Sequence, residues 1–342
     1  MTTGPHWRDA AAAATALTRR ARRVTLVSAL VSLAIIAVAA LIAHSWRYLL
    51  PTQLVAHWNS AGEPTRTTTL TRMLLPFLIG GPATIALFTA IGIGMGNDAN
   101  TRKWIGAMNI WAGLFFGGYI ITPLWFQRGL DGSEPIQMNA LILGIIIGIS
   151  TVGLLTTWAL LPGDPKMPAI TAIPHDAARS EVNGTQRAVW YRRIYLGLQG
   201  KLVYGGCVLL ICTMTFIMHS LLMWFFAGII ALLVFSQLSY KITINSTGIS
   251  FRSICGWPRG HVPIEEIVAA SVTEVDPLAH FGGFGWRMGF GENRTGIVLR
   301  TGEALRIERT GGRVLYITTD DAENAVALIN TFGDRSRLAN ED

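Results

Sequence analysis

An imidazole, a carboxamide and a carboxylate fall close together at His57, Asn59 and Glu63. Asn59-Ser60-Ala61-Gly62 has turn chemistry, with Gly62 free to take positive φ. His57 and Asn59 are two apart, so they share a face if that stretch is extended. Glu63 returns after the turn, within reach of His57 or of a backbone N–H. Three roles are open to this polar group. It ties a loop down against a membrane surface, or forms a recognition patch for a peptide or envelope partner, or binds a metal. No second histidine stands nearby at ligand spacing, so no metal is assigned, and no cofactor motif is read elsewhere. Pro51 and Pro64 bracket the segment.

Two other stretches combine aromatic and basic residues. Trp190-Tyr191-Arg192-Arg193-Ile194-Tyr195 has the composition that a membrane–water interface favours. Phe281 to Gly291 is rich in glycine, but it has neither Walker spacing nor a strand–GxGxxG–helix setting. It reads as a flexible aromatic loop. Phe281, Phe284, Trp286 and Phe290 either enter a core or dip into the inner leaflet, with Arg287 and Arg294 meeting lipid phosphates or a partner. There is no serine nucleophile motif, no HExxH and no pair of intramembrane carboxylates. An enzyme is not expected, and an ion-coupled pump is not favoured.

The elements that must position these groups are mostly membrane helices. A helix needs roughly 20 apolar residues to cross a bilayer. Six stretches qualify: Val24–Trp46, Met73–Met95, Trp104–Phe126, Ala140–Leu161, Leu202–His219 and Leu221–Leu238. None has a Lys, Arg, Asp or Glu in its interior; Asn109, with His44 and His219 at span ends, stands out among the polar residues they hold. The chain is 51% hydrophobic and 14% charged, against ~25% charged for soluble domains.

The net charge of +7 is distributed as topology, and nucleic acid is not an expected partner. Arg8, Arg19, Arg20, Arg22, Arg23, Arg102, Lys103, Lys166, Arg179, Arg187, Arg192, Arg193 and Lys201 fall on one side of the six spans. Arg47, Arg66, Arg72 and Arg128 fall on the other. The bias places both termini in the cytoplasm and the inner-leaflet anionic lipids beside the basic segments. The first span has a basic flank and a small-residue Ala37-Val38-Ala39, yet its apolar run continues to Ala43; it is read as a retained anchor. Cys207, Cys212 and Cys255 read as small buried hydrophobes.

The expected order is a basic cytoplasmic arm over 1–23, then a six-helix bundle over 24–238 with an external loop at 47–72 and a cytoplasmic loop at 162–201. A β-rich domain follows over 239–333, then a tail over 334–342. Gly92/Gly96, Gly113/Gly117 and Gly144/Gly148 each set two glycines on one helix face for close packing within the bundle. After Leu238 the period changes to two. Lys241–Asn245 and Ile249–Arg252 flank a Ser-Thr-Gly turn, and strands are expected at Ile267–Val275, Thr295–Arg300, Ala304–Arg309 and Arg313–Thr318. Asp321–Phe332 is expected to close the domain as an amphipathic helix.

That order of strands and one closing helix resembles the pleckstrin-homology-like barrels of bacterial membrane-tethered proteins. The segment from Leu50 to Pro64, with Pro51, His57, Asn59, Gly62, Glu63 and Pro64, resembles the short signature of the bacterial membrane domain found in the family typified by SdpI, a toxin-immunity and signalling protein. Val55-Ala56 departs from its usual Ile-Pro, and Thr65 stands where Asp is common. Gly296–Ile307 resembles a run seen in actinobacterial-type membrane proteins. The resemblances imply a multi-pass plasma-membrane protein, non-enzymatic, serving as an envelope sensor, immunity-type receptor or scaffold with a protein or peptide partner. A small-solute transporter or channel subunit, or an accessory subunit of an envelope complex, are the alternatives.

Overall fold

The structure is a computed structural model that describes residues 6–59, 62–96, 98–131, 140–164, 167–169, 171–181, 188–218, 221–289 and 293–338. Expectations placed on Ser60, Ala61, Lys166, Arg187, His219, Ser220, Phe290 and Gly291 lie outside these residues. The chain divides into two compact units, Leu17–Asp164 and Pro165–Asp342 with Met1–Ala16.

The first unit is helical. α1 (His6–Ser45) runs unbroken for 40 residues where a separate arm was expected over 1–23. The alanines and arginines there are strong helix formers, and nothing before Val24 stops the helix. A hairpin follows, β1 (Leu54–Trp58) against β2 (Pro64–Thr68). Then come α2 (Leu70–Met95), α3 (Ala99–Gln127) and α4 (Ala140–Leu160). Asp98 caps α3, accepting from the Asn100 and Thr101 N–H groups. α3 therefore starts earlier than expected and takes Arg102 and Lys103 into its first turns.

Glycines set the closest approach between α1 and α3. A Cβ on Gly113 would lie 2.8 Å from the Ser32 Cα, and one on Gly117 3.0 Å from Ile35 Cγ2. Gly92 is likewise pressed on Thr25 and Ile105. Gly144 and Gly148 have nothing within 4 Å, so the third glycine pair does not make the packing contact expected of it. Between α1 and α3 the Ser32 Oγ donates to the Asn109 carbonyl (2.6 Å) and the Asn109 amide donates to Ser28 Oγ (3.1 Å). Asn109 is a buried interhelical link.

The second unit joins an apolar helical hairpin to a β domain. β3 (Trp190–Tyr195) precedes α5 (Leu198–Met218) and α6 (Leu221–Ser236). β4 (Ser239–Asn245), β5 (Gly248–Ser253) and β6 (Arg259–Pro263) follow, and these four strands form an antiparallel sheet in the order β3-β4-β5-β6. β7 (Ile267–Val275), a short α7 (Pro277–Phe281), β8 (Gly285–Met288), β9 (Arg294–Val298), β10 (Gly302–Arg309) and β11 (Arg313–Thr318) come next. They build a five-stranded sheet in the order β7-β10-β11-β9-β8, with β9 and β11 parallel. α8 (Ala322–Leu338) closes the domain and is longer than the helix expected over Asp321–Phe332.

One core serves both sheets and α8. Tyr240, Ile242, Ile244, Ile249 and Phe251 meet Ile297, Leu305, Leu315, Ile317, Val326, Ile329 and Phe332 in it. The sheet domain thus begins before the expected boundary at Ser239, because β3 on the far side of α5 and α6 is part of it. Asn330, fully buried on α8, accepts from the Ala270 N–H (2.9 Å) and donates to the Ala270 carbonyl (3.1 Å). Its amide takes the place of a neighbouring strand at the edge of β7.

Among the described residues five helical segments are long and apolar enough to cross a membrane: Thr15–Ser45, Leu70–Met95, Ala99–Gln127, Leu141–Leu160 and Leu198–Ile217. α6 has 16 residues, roughly 24 Å of helix, short of the ~30 Å hydrocarbon layer.

Candidate functional site

The hairpin β1–β2 carries the polar group that the sequence singled out. Its turn is closed by the Asn59 N–H on the Glu63 carbonyl (2.9 Å) and by Gly62, at φ 82°, donating to the Asn59 carbonyl. The Asn59 side chain bridges the same turn, its amide donating to Glu63 Oε2 and its oxygen accepting the Glu63 N–H, each at 2.9 Å. Glu63 is therefore engaged by Asn59, whereas His57 Nδ1 pairs with Thr65 Oγ1 at 2.8 Å. His57, Asn59, Glu63, Pro64 and Thr65 are exposed, and Gly62 is buried. Pro51 lies half-buried ahead of β1. The side chains brace one another and still face solvent.

What holds this hairpin was not visible in its own sequence. Leu54 is fully buried among the helices. Gln127, at the end of α3 and fully buried, accepts the Val55 N–H (2.7 Å) and donates to the Val55 carbonyl (3.0 Å). The Gly129 N–H donates to the Leu49 carbonyl at 2.7 Å. The end of α1, the start of α2 and the end of α3 thus meet around the hairpin.

At their opposite ends, α2 and α3 are joined to the segment after α4 by a buried ion pair. Arg102, 1% exposed, donates to Asp164 at 2.7 Å and to the Gly96 carbonyl at 3.3 Å. Asp164 Oδ2 also accepts the Ala99 N–H (3.0 Å). One carboxylate past α4 therefore binds the N-terminus of α3, which the helix dipole favours. By sequence Arg102 is one topological charge among many; in the fold it is a clasp.

In the second unit a polar neck links the apolar hairpin to the β domain. The Leu196 N–H donates to the Leu238 carbonyl (2.9 Å), closing the two chain segments side by side. Gln237 Oε1 accepts from Tyr240 Oη (2.8 Å) and from the Trp286 N–H (2.9 Å). Tyr204 Oη, on α5, donates to the Phe284 carbonyl (2.6 Å), and the Arg287 guanidinium donates to both that carbonyl and Tyr204 Oη. Burial pushes the Tyr240 phenol well above the ordinary tyrosine range, beyond what the bond to Gln237 offsets, so it stays protonated as a donor.

Three of the four aromatic residues expected in a flexible loop, Phe281, Phe284 and Trp286, are among the described residues and sit in or beside regular elements. Phe281 is on α7, Phe284 is 1% exposed in the core, and Trp286 is half-buried on β8 beside Phe251. Core packing wins for Phe281 and Phe284, and Arg287 spends its donors on the neck. Arg294 is half-buried on β9. Trp190 is buried, and its indole N–H joins Arg192 on Asp321 at 3.0 and 2.9 Å. Arg193 points from the exposed face of β3. Cys207 and Cys255 are exposed, not buried as expected, because α5 shows Cys207 outward and Cys255 sits in the β5–β6 turn. Among the described residues no three His, Cys, Asp or Glu side chains gather as a metal site would require.

No family model, curated protein or solved structure matches the chain.

Proposed function

We propose that the chain is a multi-pass, non-enzymatic protein of a bacterial plasma membrane that couples the β1–β2 hairpin outside to the β domain inside. It would serve as an envelope sensor, immunity-type receptor or scaffold, with both termini cytoplasmic. The observation that carries this reading is the insertion of α5 and α6 between the paired strands β3 and β4. A tilt or shift of α5 against α6 pulls directly on a ladder running from Trp190↔Ile244 to Tyr195↔Ser239.

The same pairing supports six crossings. β3 and β4 meet only if α5 and α6 return the chain to the side it left, so the two helices cross together or not at all. α5 has the length to cross. The short α6 is accommodated by local thinning of the bilayer. The four-strand meander, second sheet and closing α8 support a pleckstrin-homology-like domain, and the exposure of His57, Asn59, Glu63 and Pro64 supports the SdpI-type external segment.

The test is a native pull-down in mild detergent with mass spectrometry. The intact chain is compared with a His57→Ala, Asn59→Ala, Glu63→Ala variant. A specific envelope partner lost in the variant supports the receptor or scaffold. A partner retained in full by the variant makes the hairpin structural. Recovery of the intact chain alone turns the reading toward a self-contained transporter.

A further inference from the structure

The four-stranded sheet carries a row of cations that nothing in the fold requires. The registers place Arg193 opposite Lys241, Lys241 opposite Arg252, and Arg252 opposite Arg259. One cation comes from each strand, and all four are exposed on the face away from the core. Neighbouring strands lie about 4.8 Å apart, so the row spans roughly 14 Å. Like charges directly opposite one another destabilise a sheet. Among the described residues none of the four has a carboxylate partner. The charge of this row is thus unspent within the chain.

Its surroundings are graded. On the side away from α5 and α6 the same face continues with Tyr191, Thr243, Ser250 and His261, in register with one another. On the side toward them it ends in Tyr195, Ile254 and Trp257, which are 58%, 44% and 47% exposed. The turn holding Ile254 and Trp257 is bound to the end of α6. Ser253 Oγ donates to the Ser236 carbonyl (2.7 Å), and the Ile254 N–H donates to the Ser239 carbonyl (3.1 Å). Lys201, exposed in the first turn of α5, adds a further cation at that end.

We propose that this outer face of the four-stranded sheet docks on the anionic leaflet from which α5 and α6 emerge. Tyr195, Ile254 and Trp257 enter the interface, and Arg193, Lys241, Arg252 and Arg259 take the lipid phosphates. The order of aromatic and apolar edge, basic row and polar row matches the order of layers leaving a bilayer. A soluble acidic protein or free phosphate would satisfy the charges, but neither accounts for the apolar edge fixed to the end of α6. The inference rests on the membrane-tethered reading of the second unit. It needs no partner protein, so it stands or falls separately from the receptor role.

The experiment uses the full chain in nanodiscs. Cys207→Ser and Cys212→Ser leave Cys255, inside the docking edge, as the single thiol for an environment-sensitive fluorophore. Quenching by headgroup-level spin-labelled lipid is compared in phosphatidylcholine discs and in discs containing phosphatidylglycerol. Docking predicts stronger quenching in the anionic discs, reduced by salt. The four substitutions Arg193→Gln, Lys241→Gln, Arg252→Gln and Arg259→Gln should abolish the difference, each lowering the docked-to-undocked ratio about fivefold. Arginine-to-lysine exchanges at 193, 252 and 259, which keep charge and control for folding, should preserve it. Equal quenching of the intact chain in both discs overturns the proposal. So does a quadruple variant that quenches like the intact chain, or inorganic phosphate that reproduces the effect in neutral discs.

Discussion

The Gln127 side chain holds the Val55 backbone by both its polar groups, accepting from its N–H and donating to its carbonyl. A helix-end amide thereby acts as the missing strand beside β1. Gln127 also donates to the Pro123 carbonyl at 3.0 Å, which fixes the rotamer. Replacing Gln127 by Leu keeps the volume and strands two buried backbone groups, at about 1–3 kcal/mol. The expected result is a lower melting temperature in detergent and faster proteolysis between Leu50 and Thr69. Unchanged proteolysis would show that Leu54 alone seats the hairpin.

Arg102 and Asp164 are both almost fully buried, so removing one partner strands a charge. Arg102→Met should destabilise the first unit by about 3–5 kcal/mol. Arg102→Met combined with Asp164→Asn should recover part of the loss, since the asparagine still accepts the Ala99 N–H without a charge. Thermal melts of the intact chain, the two single variants Arg102→Met and Asp164→Asn, and the double variant give the coupling. Additive losses would mean that the two residues act independently.

Asp321 supplies a pH dependence with a definite sign. Burial pushes its carboxyl up, but hydrogen bonds from Asn324, Trp190 and Arg192 together outweigh that and hold it below the ordinary carboxylate range. A lowered folded pKa contributes stability above the unfolded value of ~3.9, lost as pH falls through the folded value. Trp190→Phe with Arg192→Gln should raise the folded value and lower the melting temperature at neutral pH. The further drop in melting temperature on acidification should then be smaller than in the intact chain. An equal drop in both proteins would remove Asp321 from the linkage.

Two glycines of the same type should respond oppositely. A side chain at Gly113 meets the Ser32 backbone, which cannot yield without parting α1 from α3. Gly113→Val should cost about 1–3 kcal/mol as overpacking. Gly144→Ala faces open space and, by helix propensity, should be neutral or slightly stabilising. Melting temperatures in one detergent decide it; equal effects would contradict the α1–α3 approach.

The helices are legible because a long run without charge suits little besides a bilayer, and the strands after Ser239 because polar and apolar residues alternate there. β3 is not. Its Arg192-Arg193 pair breaks the alternation, and its partner β4 lies beyond two helices, where local pattern has no reach. The union of α1 is hidden by charge, since Arg19 to Arg23 resemble a boundary yet favour helix. At the candidate site the sequence exposes His57, Asn59 and Glu63 but not their pairing, which depends on where the turn closes. Gln127, Arg102 and Asp164 look like ordinary helix-end residues, and only the meeting of separate helices gives them roles. The basic row is invisible along the chain because its members are spread from Arg193 to Arg259 and align only through register.

The split of one sheet around a pair of helices also orders its assembly. Synthesis releases β3 first, then α5 and α6, and only afterwards the strand that completes the pair. Until the second helix has been threaded back, β3 has its edge bare and its Trp190 and Ile194 uncovered. The domain core therefore closes last, and only on chains in which α5 and α6 have carried β4 back beside β3, so that the order of the two helices is checked by the sheet they interrupt.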